Sequence, residues 1–210
     1  EREQIIALIN REVVPAIGCT EPIAVALCVA KATEALGCRP EKIQALLSAN
    51  ILKNAMGVGI PGTGMIGLPI AIALGALIGK SEYQLEVLKD STPEAVEEGK
   101  KLIDAQAINI GLKYGIEEKL YIEIICEAEG KKATAIISGG HTHFVYVARD
   151  EEVLVNKQTS ASNDASTEDV ELTLRKVYDF AMESPVDELE KVDKHDTVNT
   201  AIGMVADGYE

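Results

Sequence analysis

The sequence predicts an α+β fold: an antiparallel β-meander with helices packed on it, followed by helices that begin a second, mostly helical domain. Three observations carry this expectation. Apolar residues recur at helical spacing early in the chain, with threonine, proline and glycine at the boundaries that helices favour. Between Lys119 and Asn156 the period drops to two, as it does in half-buried strands. Residues 157–168 are then polar and low in complexity, which reads as a flexible linker between an α+β domain over 1–156 and the start of a helical domain over 169–210.

The elements follow in order. Residues 4–14 carry a helical pattern that Pro15 ends. A second helix runs over 21–36, where Ile23, Ala26, Leu27, Ala30 and Leu36 repeat at roughly helical spacing. Thr20 is its expected N-cap, Glu21 and Pro22 suit its first turn, and Gly37 ends it. Residues 43–47 fit a buried strand or a helical turn, and Lys53-Asn54 breaks the apolar run that follows. A glycine-rich stretch over 57–67 leads into an apolar helix over about 68–78, and Thr92-Pro93 opens an exposed helix over 93–106. Strands are expected within 121–126, 133–138, 142–149 and 152–155, turning at Glu129-Gly130-Lys131 and at Asp150-Glu151. Helices resume over 170–182 and 195–206, with His195 among charged neighbours on the surface.

Composition excludes several functions. Hydrophobic residues make up 47% of the 210 and aromatics only 4%, so Ala, Ile, Leu and Val must build the core. A formal charge of -14 argues against nucleic acid, which needs basic patches, and against an anionic membrane surface. The longest apolar run, 65–78, contains Gly67, Pro69 and Gly75 and is too short to cross a bilayer. Cys19, Cys28, Cys38 and Cys126 form no CxxC pair and read as reduced thiols in a cytoplasmic protein. The first residue is Glu1 rather than Met, as expected of a piece of a longer chain.

Three segments carry the chemistry. In Pro15-Ala16-Ile17-Gly18-Cys19-Thr20-Glu21-Pro22 a cysteine stands at a helix mouth, where the helix dipole favours thiolate, a metal ligand or nucleophile. The plain alternative is a small apolar residue packed at a turn. Gly57 to Gly67 can cradle an anion with backbone N–H groups, or can simply allow close packing; it is neither a Walker loop nor a dinucleotide fingerprint. His141 and His143, two apart in Gly139-Gly140-His141-Thr142-His143, share a face if the chain is extended there. They offer half of a zinc site without a visible third and fourth ligand, or the tip of a hairpin that faces a small polar substrate. Cys28, Cys38 and Cys126 read as packing residues.

In order and spacing, residues 15–22, Lys53-Asn54-Ala55-Met56-Gly57-Val58-Gly59-Ile60-Pro61-Gly62-Thr63-Gly64 and Gly139 to His143 resemble the L-cysteine desulfidase family, relatives of the iron–sulfur L-serine dehydratases. The resemblance covers nearly the whole chain and the N-terminal half of a full-length member. It implies β-elimination from a small L-amino acid, giving pyruvate, ammonia and sulfide or water. It also implies a [4Fe–4S] cluster held by three cysteines with one iron open. By that resemblance Cys19 is a cluster ligand and the other two lie in the missing C-terminal half, or beyond this chain in any case; no other cysteine here matches a ligand motif. The substrate-binding residues implied are Thr20, Glu21, Lys53, Asn54, Gly62, Thr63, Gly64, His141, Thr142 and His143, and no residue is assigned as the general base. The expected partners are a small amino acid, the C-terminal half and a second copy in a homodimer. Two other readings compete: a non-catalytic amino-acid-binding domain, and a zinc hydrolase built on His141 and His143.

Overall fold

The computed structural model describes residues 2–12, 16–157 and 172–185. The chain divides into two compact units, one spanning Ala16–Gln158 and the other Glu1–Pro15 with Thr159–Glu210. In the second of these, α1 (Arg2–Glu12) and α6 (Leu174–Glu183) are described; α6 opens on Thr173, whose hydroxyl accepts from the Lys176 N–H. The expected linker from 158 on, Pro15 and the helix over 195–206 with His195 lie outside the described residues.

The larger unit is built around two helices with central stretches that are apolar all round, and such stretches must be buried. In α2 (Thr20–Leu36) every side chain from Ile23 to Ala30 is fully buried, and in α4 (Leu68–Leu77) the same holds from Ile70 to Leu74. They pack through small residues. A Cβ on Gly75 would stand 2.6 Å from the Ala26 carbonyl oxygen, and one on Gly79 would stand 2.7 Å from the Ala30 Cβ. Both contacts advance together, so the helices run parallel, backbone nearly against backbone.

On one side α5 (Pro93–Asp104) covers α4, with Gly99 seated over Ile70 and Ala73. Thr92 caps α5 by accepting from the Ala95 N–H, as the sequence predicts. A 3-10 turn, Ser81–Glu86, is pinned to α2 where Glu34 accepts from both the N–H and the hydroxyl of Ser81 at 2.7 and 2.6 Å.

On the other side lies a six-stranded sheet. Its strands are β1 (Lys42–Leu47), β4 (Ile108–Leu112), β5 (Tyr121–Ala128), β6 (Lys131–Ser138), β7 (Phe144–Arg149) and β8 (Glu152–Asn156), in the order β4-β1-β5-β6-β7-β8. The α+β class and the β5–β8 meander stand as expected. The sheet is nonetheless mixed rather than purely antiparallel, because β1 and β4 pair in parallel, Ile43 opposite Ile108 through Leu47 opposite Leu112. Parallel neighbours need a crossover. Here it comprises α3 (Ala49–Ala55), the two-residue strands β2 (Gly59–Ile60) and β3 (Met65–Ile66), α4, the 3-10 turn and α5. The helical face of the sheet carries Ile43, Ala45, Leu47, Ile122, Ile124, Cys126, Ala133, Ala135 and Ile137, all buried; the opposite face carries Gln44, Ile125, Thr134 and Ile136. Among the described residues no helix is long and apolar enough to cross a membrane.

Two sulfur contacts orient α2 on the sheet. Thr33 Oγ1 lies 3.9 Å from Cys126 Sγ, while Cys28 Sγ points at the carbonyls of Ile122 and Ala135 at 3.9 and 3.3 Å. Moving back along α2 therefore moves back along β5 towards Tyr121. The helix mouth lies at the sheet end where β1 and β6 finish and β5 and β7 begin.

Candidate functional site

Gly18, in the left-handed region at φ +81, turns the chain into α2. Cys19 itself is the N-cap, extended at φ -69 and ψ 131, and Thr20 is the first helical residue. The sequence expectation for Thr20 is thereby corrected. Its hydroxyl does not reach forward to a backbone N–H; it donates to Glu21 Oε2 at 3.3 Å. The same oxygen accepts from the Cys19 thiol at 3.0 Å, and Glu21 Oε1 accepts from Asn54 Nδ2 at 3.3 Å. Glu21 thus joins α2 to α3 and gathers Cys19, Thr20 and Asn54 around one carboxylate. The Cys19 hydrogen bond is the main reason its carboxyl is held below the usual range.

The Cys19 thiol moves the other way. Burial first, and donation to Glu21 second, push it above the ordinary cysteine value. The arrangement differs from the one expected: the positive helix end is already answered by a carboxylate 3.0 Å from the sulfur, which favours the S–H form.

The glycine-rich segment is a small hairpin, β2 paired with β3. Gly62 and Gly64 have φ of +74 and +63, and a Cβ on either would meet nothing within 4 Å. Their role is backbone shape, not close packing. Neither N–H makes a backbone hydrogen bond within the described residues. Thr63 serves the loop itself, donating to the Ile60 carbonyl at 2.6 Å and accepting from the Met65 N–H at 3.0 Å. Gly67 caps α4, and a Cβ there would strike the Met56 carbonyl oxygen at 2.7 Å, which fastens the hairpin base to the end of α3. Counting back along α2 and α4 from their glycine–alanine contacts brings Gly67 and Leu68 level with Gly18 and Cys19. Two helix N-termini therefore open side by side, with Asn54 bridging to one and the hairpin leading into the other. Lys53, next to Asn54, is exposed and bonds to none of the described residues.

Residues 139–143 are a tight turn rather than an extended strand, with Gly139 at φ +77. The His143 N–H bonds to the Gly140 carbonyl, His143 Nδ1 lies 3.0 Å from the Ser138 carbonyl oxygen, and the Gly139 N–H bonds to the Leu120 carbonyl. The premise that pleating sets His141 and His143 on one face fails, and β7 starts at Phe144, two residues beyond Thr142. The turn does lie at the sheet end that carries the helix mouth.

Among the described residues no group of three or more His, Cys, Asp or Glu is placed to hold a metal ion. All four cysteines are free. Cys28 and Cys126 are buried at the sheet, their thiols pushed up by burial, to about 12 for Cys126. A cluster held by three cysteines does not fit this chain by itself, because its described residues offer Cys19 alone at the mouth. Sequence reading missed the Glu21–Asn54 bridge, whose partners lie far apart in the chain; Glu21 and Lys53-Asn54 were its only local signals.

The chain is similar to UPF0597 proteins. It is 79% identical over 189 residues to the UPF0597 protein of Phocaeicola vulgatus, 77% over 189 residues to one of Bacteroides fragilis, and 40% over 200 residues to that of Aeromonas hydrophila. The first two matches cover 90% of this chain and 44% of the relative. The chain therefore spans less than half the length of these relatives. No family model and no solved structure matches it.

Proposed function

We propose that this chain forms the amino-acid-binding part of a lyase that carries out β-elimination on a small L-amino acid, L-cysteine or L-serine. The products are pyruvate, ammonia and sulfide or water. The observation that supports this most is the mouth itself: the Glu21 carboxylate, held ionised by Cys19, Thr20 and Asn54, beside two parallel helix N-termini and the unused N–H groups of Gly62 and Gly64. A zwitterion needs both signs of partner. Glu21 suits the ammonium, and the glycine amides and the start of α4 suit the carboxylate. His141 and Thr142, on the turn at the same sheet end, border that space in this reading.

Cys19 is the sulfur this chain would lend to an iron–sulfur cluster whose remaining ligands come from outside it, and no catalytic step is assigned through that cluster. Four free thiols suit work in the reducing cytoplasm. The test uses the longest polypeptide the gene encodes, purified without oxygen, with pyruvate and sulfide release from L-cysteine as readout. Cys19→Ser should abolish release. Undiminished release would overturn the proposal, and binding of L-cysteine without turnover in the unaltered protein would support a non-catalytic amino-acid-binding domain in its place.

A further inference from the structure

At the opposite end of the sheet, on the face turned away from α2 and α4, lies a cleft of about 300 Å³. Its polar lining comes from Lys42 and Gln44 on β1, Gln106 and Asn109 around the start of β4, and Glu127 on β5, with Ile125 at its floor. Within the described residues, none of these five polar side chains makes a hydrogen bond or an ion pair. Lys42 and Glu127 are direct cross-strand partners, and Lys132 faces Glu127 from β6. Opposite charges so placed ordinarily pair across strands. Here neither side chain pairs with the other or with any other described residue, so both charges are left to meet a ligand at the cleft. Gln106 adds a second sign. It follows the C-terminus of α5 in the left-handed region at φ +53, a position that glycine or asparagine usually fills. Gln106 at that position places a carboxamide on the cleft.

We propose that this cleft is a second binding site, for a polar α-amino acid, separate from the mouth around Cys19. Lys42 takes the α-carboxylate, Glu127 takes the α-ammonium, and the carboxamides of Gln44, Gln106 and Asn109 read a polar side chain whose methylenes rest on Ile125. The volume is at the low end of the range for ligand pockets, roughly 300–1,000 Å³, which is room for a single amino acid. The site stands independently of the lyase reading.

The experiment is a titration of the 15N-labelled chain with L-glutamine, followed by amide NMR. Saturable shifts are expected at 42–44, 106–109 and 125–127. Lys42→Ala and Glu127→Ala should each weaken binding by about tenfold or more, in keeping with a charged hydrogen bond. Glutaramate, which lacks the α-amine, should bind Glu127→Ala no worse than the unaltered chain. Gln106→Gly should weaken L-glutamine binding while leaving the fold intact. Two outcomes overturn the proposal: no saturable shift at those residues with L-glutamine, L-asparagine or L-serine, or an affinity that neither charge substitution moves. Shifts at 19–21, 54 and 62–64 report the mouth, so the two sites can fail separately.

Discussion

Gly75→Ala tests the architecture on which the mouth depends. The added methyl would lie 2.6 Å from the Ala26 carbonyl oxygen, 3.0 Å from its Cα and 3.1 Å from its carbonyl carbon. All three are backbone atoms in the fully buried stretch of α2, so no rotamer change relieves the clash. To reach an ordinary contact of 3.4 Å, α4 must withdraw from α2 by about 0.8 Å. Forced overpacking of this kind costs about 1–3 kcal/mol, and the rigidity of both neighbours puts this site at the upper end. Part of that is offset because alanine favours a helix over glycine by roughly 1 kcal/mol. A net loss of about 1–2 kcal/mol lowers the melting temperature by roughly 3–8 °C in a domain of this size. Circular dichroism melts and urea midpoints measure it. Gly57→Ala is the control, since a Cβ there meets nothing within 4 Å and its φ is not left-handed. The separation also displaces the start of α4 from Cys19, so the proposed amino-acid binding at the mouth should weaken by more than the stability loss alone would cause. Equal melting of the Gly75→Ala and Gly57→Ala proteins would refute the close parallel packing.

The remaining predictions concern the carboxylate at the mouth and the serine that caps α3. Iodoacetamide reacts with thiolate, and the Cys19 thiol is held above its ordinary value, so alkylation of Cys19 should lag at neutral pH and accelerate as the solution becomes alkaline. Glu21→Gln removes the carboxylate that favours the S–H form, and should speed alkylation at a given pH; an unchanged rate, read by mass spectrometry of the Cys19 peptide, would refute the contact. Ser48, 3% exposed, caps α3 by accepting from the Ile51 N–H and donates to the Lys119 carbonyl at 2.7 Å. Ser48→Ala should therefore destabilise the chain by about 1–3 kcal/mol, measured by urea unfolding.

Local chemistry made part of this fold legible. β5 alternates strictly, β5–β8 are joined by short turns, and α5 announces itself through Thr92 and Pro93. What escaped depends on distant partners. Ile108–Leu112 is five residues long, contains Gly111, and becomes a strand only by pairing with β1 across the whole crossover. α2 starts one residue earlier than the sequence suggests, because Cys19 holds the extended N-cap conformation and Thr20 is already helical, its hydroxyl donating to the Glu21 carboxylate. At 139–143, the pleat expected of an extended chain gives way to a turn set by Gly139. The motif around Cys19 marks the start of α2 in the sequence, but the contact of its sulfur with Glu21 needed the position of Glu21 in space. The cleft at Lys42 was invisible because its residues come from three stretches of chain.

The seam between α2 and α4 leaves no room for sliding. Any shift along it would have to lift one main chain over the Ala26 carbonyl or the Ala30 methyl. The helix pair consequently behaves as a single stiff post, and breathing near Cys19 falls to the short loop 61–64, whose glycines are hemmed in by nothing.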